Sequence, residues 1–182
     1  EERIVKLKMR DMYDSGRLGT IPVGTYASLA EIHKTLFCDI YEFAGEMRQV
    51  NIYKGDFMFA PVDGLKNAVK FAEIMPQDTF EDIVRKYIEM NTAHPFREGN
   101  GRALRLWLDV MIAAKLGVLI DWSAIDKESY LIAMEHCALN DGDLMSLLRP
   151  ALSQDVSRSA FLRGVDASFA FEGYNKYKTE EL

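Results

Sequence analysis

The sequence predicts an all-α domain that carries one small β-hairpin. Apolar residues recur at helical spacing along most of the chain, and capping residues stand where those stripes begin. A single stretch departs from that pattern, with β-branched and aromatic residues on either side of a Lys-Gly-Asp turn.

The elements follow in order. Thr25 precedes a run in which Leu29, Ile32, His33 and Leu36 lie on one helical stripe. Gln49 to Val62, QVNIYKGDFMFAPV, is the exception and reads as the hairpin, turning at Lys54-Gly55-Asp56. Thr79 caps a helix from Phe80, with Asp82 at the third position after the cap and Ile83, Tyr87 and Met90 on its apolar face. Pro95 closes that helix or lies just beyond it. From Arg102 the sequence ALRLWLDVMIAAKLG is helical and apolar on most sides, and Gly117 supplies the stop. Further helices are expected near 128–137, 141–149, 157–163 and 167–176. Trp107 and Trp122 read as core, and His33 and His136 as structural histidines without metal spacing. One domain over 1–182 is expected, with its core at about 20–150.

The chain has 182 residues, of which 48% are hydrophobic and 27% charged, as in an ordinary folded protein. Its formal net charge of −6 argues against nonspecific nucleic-acid binding, which needs net attraction to phosphate. No apolar run reaches the roughly 18 residues that suggest a membrane span, and the charged opening EERIVKLKMR is no signal peptide. Cys38 and Cys137 are single and far apart, which points away from a disulfide framework or zinc site and toward the cytoplasm. The first residue is not methionine, so sequence upstream of residue 1 lies outside this reading.

Between two apolar helical stretches the chain concentrates polar chemistry in HPFREGNGRALR, His94 to Arg105. Gly99-Asn100-Gly101 lets the backbone turn sharply and bring N–H groups close to a ligand. The helix that follows points its N-terminus at this loop, where free amides and the helix dipole favour phosphate. Arg102 and Arg105, three apart, project from one face, and guanidinium forks suit a polyphosphate. Glu98 beside phosphates implies an intervening Mg²⁺, which takes one or two carboxylates plus phosphate oxygens. His94 is placed to take a proton from an incoming hydroxyl. Together these residues read as a nucleotide-phosphate site with Mg²⁺ and a general base.

HPFREGNGRALR matches the Fic motif, HxFx(D/E)GN(G/K)RxxR, at every defined position. LAEIHKTLFCDIYEFAGEMR, Leu29 to Arg48, resembles the family's upstream helix, IHxxLFxxxYxxAGxxR, and NIYKGDFMFAP resembles its flap. The resemblance covers roughly residues 20 to 175. It implies the Fic fold, a helical bundle with a β-hairpin flap, and transfer of AMP from ATP to a Tyr, Thr or Ser hydroxyl of a target protein. Carried over residue by residue, it makes His94 the base and Glu98 the Mg²⁺ ligand. Gly99, Asn100 and Gly101 become the anion cradle, and Arg102 and Arg105 the holders of the outer phosphates. Phe96 becomes the buried aromatic, and Arg97 faces solvent. The related Doc toxins, which phosphorylate, carry Lys where this chain has Gly101, so the resemblance favours AMP over phosphate transfer. Family flaps pair with the target backbone, which places Lys54, Phe57 and Met58 beside the target side chain.

SFAFEGY, Ser168 to Tyr174, fits the family's inhibitory motif (S/T)xxxE(G/N) through Ser168, Glu172 and Gly173. This resemblance implies a C-terminal inhibitory helix at about 166–176 whose Glu172 pairs with Arg105 and displaces the γ-phosphate. Holding activity down about 100-fold needs a preference of only ~2.7 kcal/mol for the blocked pose. Three alternatives stay open: removal of AMP by water that Glu172 activates, both directions in one enzyme, and a nucleotide-binding module without turnover. The intact His94 weighs against the last. Self-association, and modification of Tyr174 or Tyr177, also stay open.

Overall fold

The computed structural model describes residues 1–55 and 57–182; Asp56, the last residue of the expected Lys54-Gly55-Asp56 turn, lies outside the described residues. Within these residues the chain forms eight α-helices and two short antiparallel strand pairs, the all-α class with a hairpin. It falls into two compact units, Pro22–Leu108, and Glu1–Ile21 with Asp109–Leu182.

The Pro22–Leu108 unit holds α2 (Tyr26–Phe37), the hairpin β1 (Tyr53–Lys54) and β2 (Phe57–Met58), α3 (Leu65–Ile74), α4 (Phe80–Ala93) and the start of α5 (Asn100–Leu116). Thr25 caps α2 by accepting from the Ser28 amide at 3.1 Å, and Leu29, Ile32, His33 and Leu36 form its buried stripe. A reciprocal capping box opens α4: the Asp82 amide donates to Thr79 Oγ1 at 3.1 Å, and the Thr79 amide to Asp82 Oδ2 at 3.2 Å. Trp107 on α5 donates its indole N–H to Thr25 O at 3.2 Å and to Ser28 Oγ at 3.1 Å, which ties α5 to the start of α2. The sequence reading omitted α3. Its Leu65, Val69 and Ala72 are buried, and the buried Lys86 satisfies the helix end by donating to Glu73 O at 2.7 Å and Met75 O at 3.2 Å.

The other unit holds α1 (Glu2–Asp14), the end of α5, β3 (Leu119–Ile120), α6 (Lys127–His136), α7 (Gly142–Leu148), β4 (Leu152–Ser153) and α8 (Arg158–Ala170). Leu119 pairs with Ser153 and Ile120 with Leu152. Gly117 stops α5 in the left-handed region, φ 68°, as its position predicts. Charge masked α1 in the sequence, yet Val5, Met9 and Met12 make a buried stripe. Buried Lys6 on α1 pairs with Glu2 at 2.9 Å and Asp166 at 3.0 Å and donates to Tyr177 O at 2.6 Å, anchoring the C-terminal tail.

The helices expected at 157–163 and 167–176 are one helix that ends earlier. Gly164 continues α8, where an added Cβ would lie in van der Waals contact with Trp122 at 3.4 Å. After Ala170 the chain closes in a Schellman turn. The Tyr174 amide reaches Phe169 O at 3.1 Å, and the Gly173 amide reaches Ala170 O at 3.0 Å, with Gly173 at φ 85°. The Phe169 and Tyr174 rings, 6.2 Å apart, supply the hydrophobic contact that accompanies this turn.

Candidate active site

His94 is set at the end of α4 by strained backbone. It is the one non-glycine among the described residues with positive φ, at φ 51° and ψ 64°. Such a conformation costs of order 1–3 kcal/mol and persists where surrounding contacts over-determine it. The His94 amide still closes the helix on Met90 O at 3.0 Å, and its carbonyl accepts from Arg48 Nε at 2.7 Å. Phe59, leaving the hairpin, stacks on the imidazole with centroids 3.7 Å apart and planes 16° off parallel.

Nδ1 of His94 lies 3.2 Å from Asn91 O. A carbonyl only accepts, so Nδ1 carries the proton and Nε2 keeps its lone pair. Burial pulls the His94 pKa from its ordinary 6.5 to about 4, and the positive charges of Arg48 and Lys54 push the same way, against the Asn91 hydrogen bond. The ring is therefore neutral at pH 7 and able to accept a proton.

The following loop is shaped by contacts to its backbone. Asn100 is buried and spends its side chain on Phe96: Oδ1 accepts from the Phe96 amide at 2.9 Å and Nδ2 donates to the Phe96 carbonyl at 2.8 Å. The sequence reading placed Asn100 in the anion cradle; its side chain builds the loop, and its backbone opens α5. His33 accepts the Gly45 amide on Nδ1 at 2.9 Å, so Nε2 carries the proton and donates to Glu98 O at 2.8 Å. Burial lowers the His33 pKa to about 4, which keeps this tautomer neutral. Phe96 stacks on His33 with centroids 3.8 Å apart.

Phe37 forms the floor under Gly99. Gly99 is at φ 77°, and a Cβ there would come 2.7 Å from the Phe37 ring. Arg102, 2% exposed, lies over the same ring at 4.8 Å. Asn100, Gly101 and Arg102 form the first turn of α5, where backbone N–H groups lack intrahelical acceptors and favour an anion. Arg105 is buried one turn on. Phe96 is fully buried and Arg97 exposed over the Phe43 ring at 5.3 Å, as the motif implies.

Glu98 fits a Mg²⁺ that arrives with a nucleotide. Its side chain is 62% exposed, one oxygen accepts the Gly99 amide at 3.0 Å, and Arg102 Nη2 stands 4.0 Å off. Among the described residues no cluster of three His, Cys, Asp or Glu forms a cage. A single carboxylate completed by phosphate and water oxygens is an arrangement Mg²⁺ accepts. On the hairpin, Tyr53 pairs with Met58 and Lys54 with Phe57, and Lys54, Phe57 and Met58 are exposed. Ser168, Glu172 and Gly173 belong to the other unit: Ser168 is buried in α8, while Glu172 is exposed in the turn that closes it. Arg48, Phe59 and Phe37 were absent from the predicted site, and His33 had been read as core only. All four act on backbone or ring faces; His33, Phe37 and Arg48 do stand at defined positions of the upstream motif IHxxLFxxxYxxAGxxR, the signal that could have found them, while Phe59 has none.

The two protonation penalties predict a pH dependence of stability. His33 and His94 have folded pKa values near 4 against an ordinary 6.5, so the folded state binds fewer protons between those values. Stability is unaffected by these groups above about pH 6.5 and falls as pH is lowered toward 4. Thermal melts should show the midpoint dropping over that window, less steeply in His94→Asn, which removes one titrating group and tolerates the left-handed backbone.

A helical fold with an anion-receptive helix start beside a neutral histidine is the arrangement of a candidate phosphate site with a candidate base. The chain belongs to the Fic/DOC family, whose model matches residues 24–112. It is 31% identical over 158 residues to the probable protein adenylyltransferase Fic of Escherichia coli K12, covering 79% of this chain and 77% of that protein. A 153-residue match to the protein adenylyltransferase VbhT of Bartonella schoenbuchensis is also 31% identical, covering 77% of this chain and 31% of that longer protein. The fold is similar to that of the BepC protein of Bartonella tribocorum, solved with bound AMPPNP, at a TM-score of 0.63 and 23% identity over 81% of this chain and 86% of that one. It is also similar to an N-terminal Fic domain from Bartonella quintana solved with bound ADP, at 0.65 and 22% identity over 86% and 88%. No helix among the described residues is long and apolar enough to cross a membrane.

Proposed function

We propose that this chain transfers AMP from ATP to a Tyr, Thr or Ser hydroxyl of a target protein, and that its C-terminal segment holds the rate down. The observation that carries the reading is His94, held neutral with Nε2 as acceptor beside an anion-receptive helix start. The target hydroxyl gives its proton to Nε2 while its oxygen attacks the α-phosphorus. The bond to the β-phosphate oxygen breaks, and pyrophosphate leaves. The first-turn amides of α5, with Arg102 and Arg105, balance the phosphate charge, so positioning and electrostatics do most of the work. Mg²⁺ held by Glu98 would neutralise phosphate charge when bound.

The exposed hairpin supports target docking beside the base. Lys54 is near enough for its charge to act on His94, and Phe57 and Met58 offer apolar surface at the same hairpin. On this reading the target is held as an added extended segment. The inhibitory role rests on the SFAFEG match. The Schellman turn gives that motif a physical basis, since its last position must be left-handed and Gly173 is.

The test is α-labelled ATP with Mg²⁺ and cell lysate, using the chain as given and Glu172→Gly. Label should appear on protein mainly with Glu172→Gly, a rise of about 100-fold, the effect of a ~2.7 kcal/mol preference. Equal labelling by both forms would sink the inhibitory assignment. Label from the γ-phosphate alone would indicate phosphorylation. No transfer together with AMP release from a modified target would reverse the direction of the reaction.

A further inference from the structure

We infer that Arg48 is a positioning residue that locks the His94 base and the β1–β2 flap into one fixed relation. The inference rests on the AMP-transfer reading only for its consequence on rate. Arg48 is 2% exposed, and among the described residues no carboxylate pairs with it. Instead, among the described residues, its guanidinium serves backbone carbonyls alone. Nε donates to His94 O at 2.7 Å, Nη1 to Val50 O at 2.7 Å, and Nη2 to Ala60 O at 2.5 Å and Ala93 O at 3.1 Å.

These carbonyls come from three stretches of chain. Ala93 and His94 carry the base; Val50 leads into the hairpin; Ala60 leads out of it. One planar cation therefore holds both legs of the flap and the strained residue at the end of α4. Neighbouring backbone bonds run the same way: Arg48 N donates to Pro95 O at 2.8 Å, and Ala60 N to Thr92 O at 3.2 Å. Phe59, beside Ala60, is thereby kept on the imidazole face.

Guanidinium chemistry is specific to this task. A buried charge without a counter-ion is expensive, and an apolar side chain would fill the space at less cost. What an apolar residue cannot do is satisfy four carbonyls from fixed directions. Nor can lysine, whose ammonium is a single point with three donors. The nucleotide loop is built separately, by His33 on Glu98 O and Asn100 on Phe96. Loss of Arg48 should therefore disturb base and flap while sparing ATP binding.

The experiment compares Glu172→Gly with Glu172→Gly carrying Arg48→Lys or Arg48→Met, all as the full chain. Expected results are a kcat lower by 10-fold or more in both, with no rescue by Lys. ATP affinity should stay within about two-fold, and the His94 titration seen by NMR should rise in Arg48→Met. Parent-like kcat and His94 titration in Arg48→Lys would overturn the inference, as would ATP affinity falling in step with kcat. If both variants fail to fold, hydrogen exchange of the Arg48 Nε–H in the unmutated chain decides: strong protection supports the clamp, and exchange as fast as an exposed arginine refutes it. If the Glu172→Gly parent labels no target, the transferase reading fails, while the exchange and titration results still judge Arg48.

Discussion

Replacing His94 with alanine is expected to lower AMP transfer by roughly 10²- to 10⁴-fold, the usual contribution of a positioned general base. The loss should fall on kcat, with ATP affinity retained, because the proposed function assigns the phosphates to α5 and its preceding loop. His94→Ala alone confounds two effects, since alanine also tolerates the left-handed backbone poorly. His94→Asn separates them. Asparagine accepts that backbone, keeps the end of α4 and offers no basic nitrogen. Equal loss in both variants places the effect on the proton acceptor. Transfer retained by His94→Asn would mean that geometry alone is required and that the proton leaves by another route. Single-turnover assays with α-labelled ATP, in the Glu172→Gly background, make the comparison.

Gly99→Ala is the second large effect, and it should abolish nucleotide binding. Two independent obstacles meet at one methyl group. Gly99 lies at φ 77°, where an L-residue is strained, and its Cβ would press to 2.7 Å on the Phe37 ring. Phe37 is fully buried and also supports Arg102, so it has nowhere to retreat without moving that guanidinium. The expected outcome is at least a 100-fold loss of ATP affinity by calorimetry, with a stability cost of about 1–3 kcal/mol from overpacking. Phe37→Leu should partly restore binding by opening the floor. Unchanged ATP affinity in Gly99→Ala would show that the loop does not contact the phosphates.

The dense motif at 94–105 was legible because residue type alone carries its meaning: an imidazole, an acid, two glycines and spaced guanidinia have few other reasons to occur together. The Thr79–Asp82 capping box and the Gly117 stop were legible for the same reason, each being a local rule acting over a few residues. The α1 and α3 helices were not. Charge masked the Val5, Met9 and Met12 stripe, and α3 is a short helix whose buried face shows only once the chain is folded. The end of α8 was misplaced because the Gly173 turn depends on the packing of Phe169 against Tyr174.

By itself, then, the sequence determined the family and the helical class, and it named the candidate residues for holding phosphate and moving a proton. Tertiary structure alone decided how those residues are held. It put His94 in a left-handed conformation under an Arg48 clamp, chose its tautomer through Asn91, and turned Asn100 inward onto Phe96. The physical reason is that local spacing specifies which side chains share a helix face. Backbone carbonyls carry no residue identity, so a contact such as Arg48 to Ala60 becomes visible only when the chain has folded back on itself.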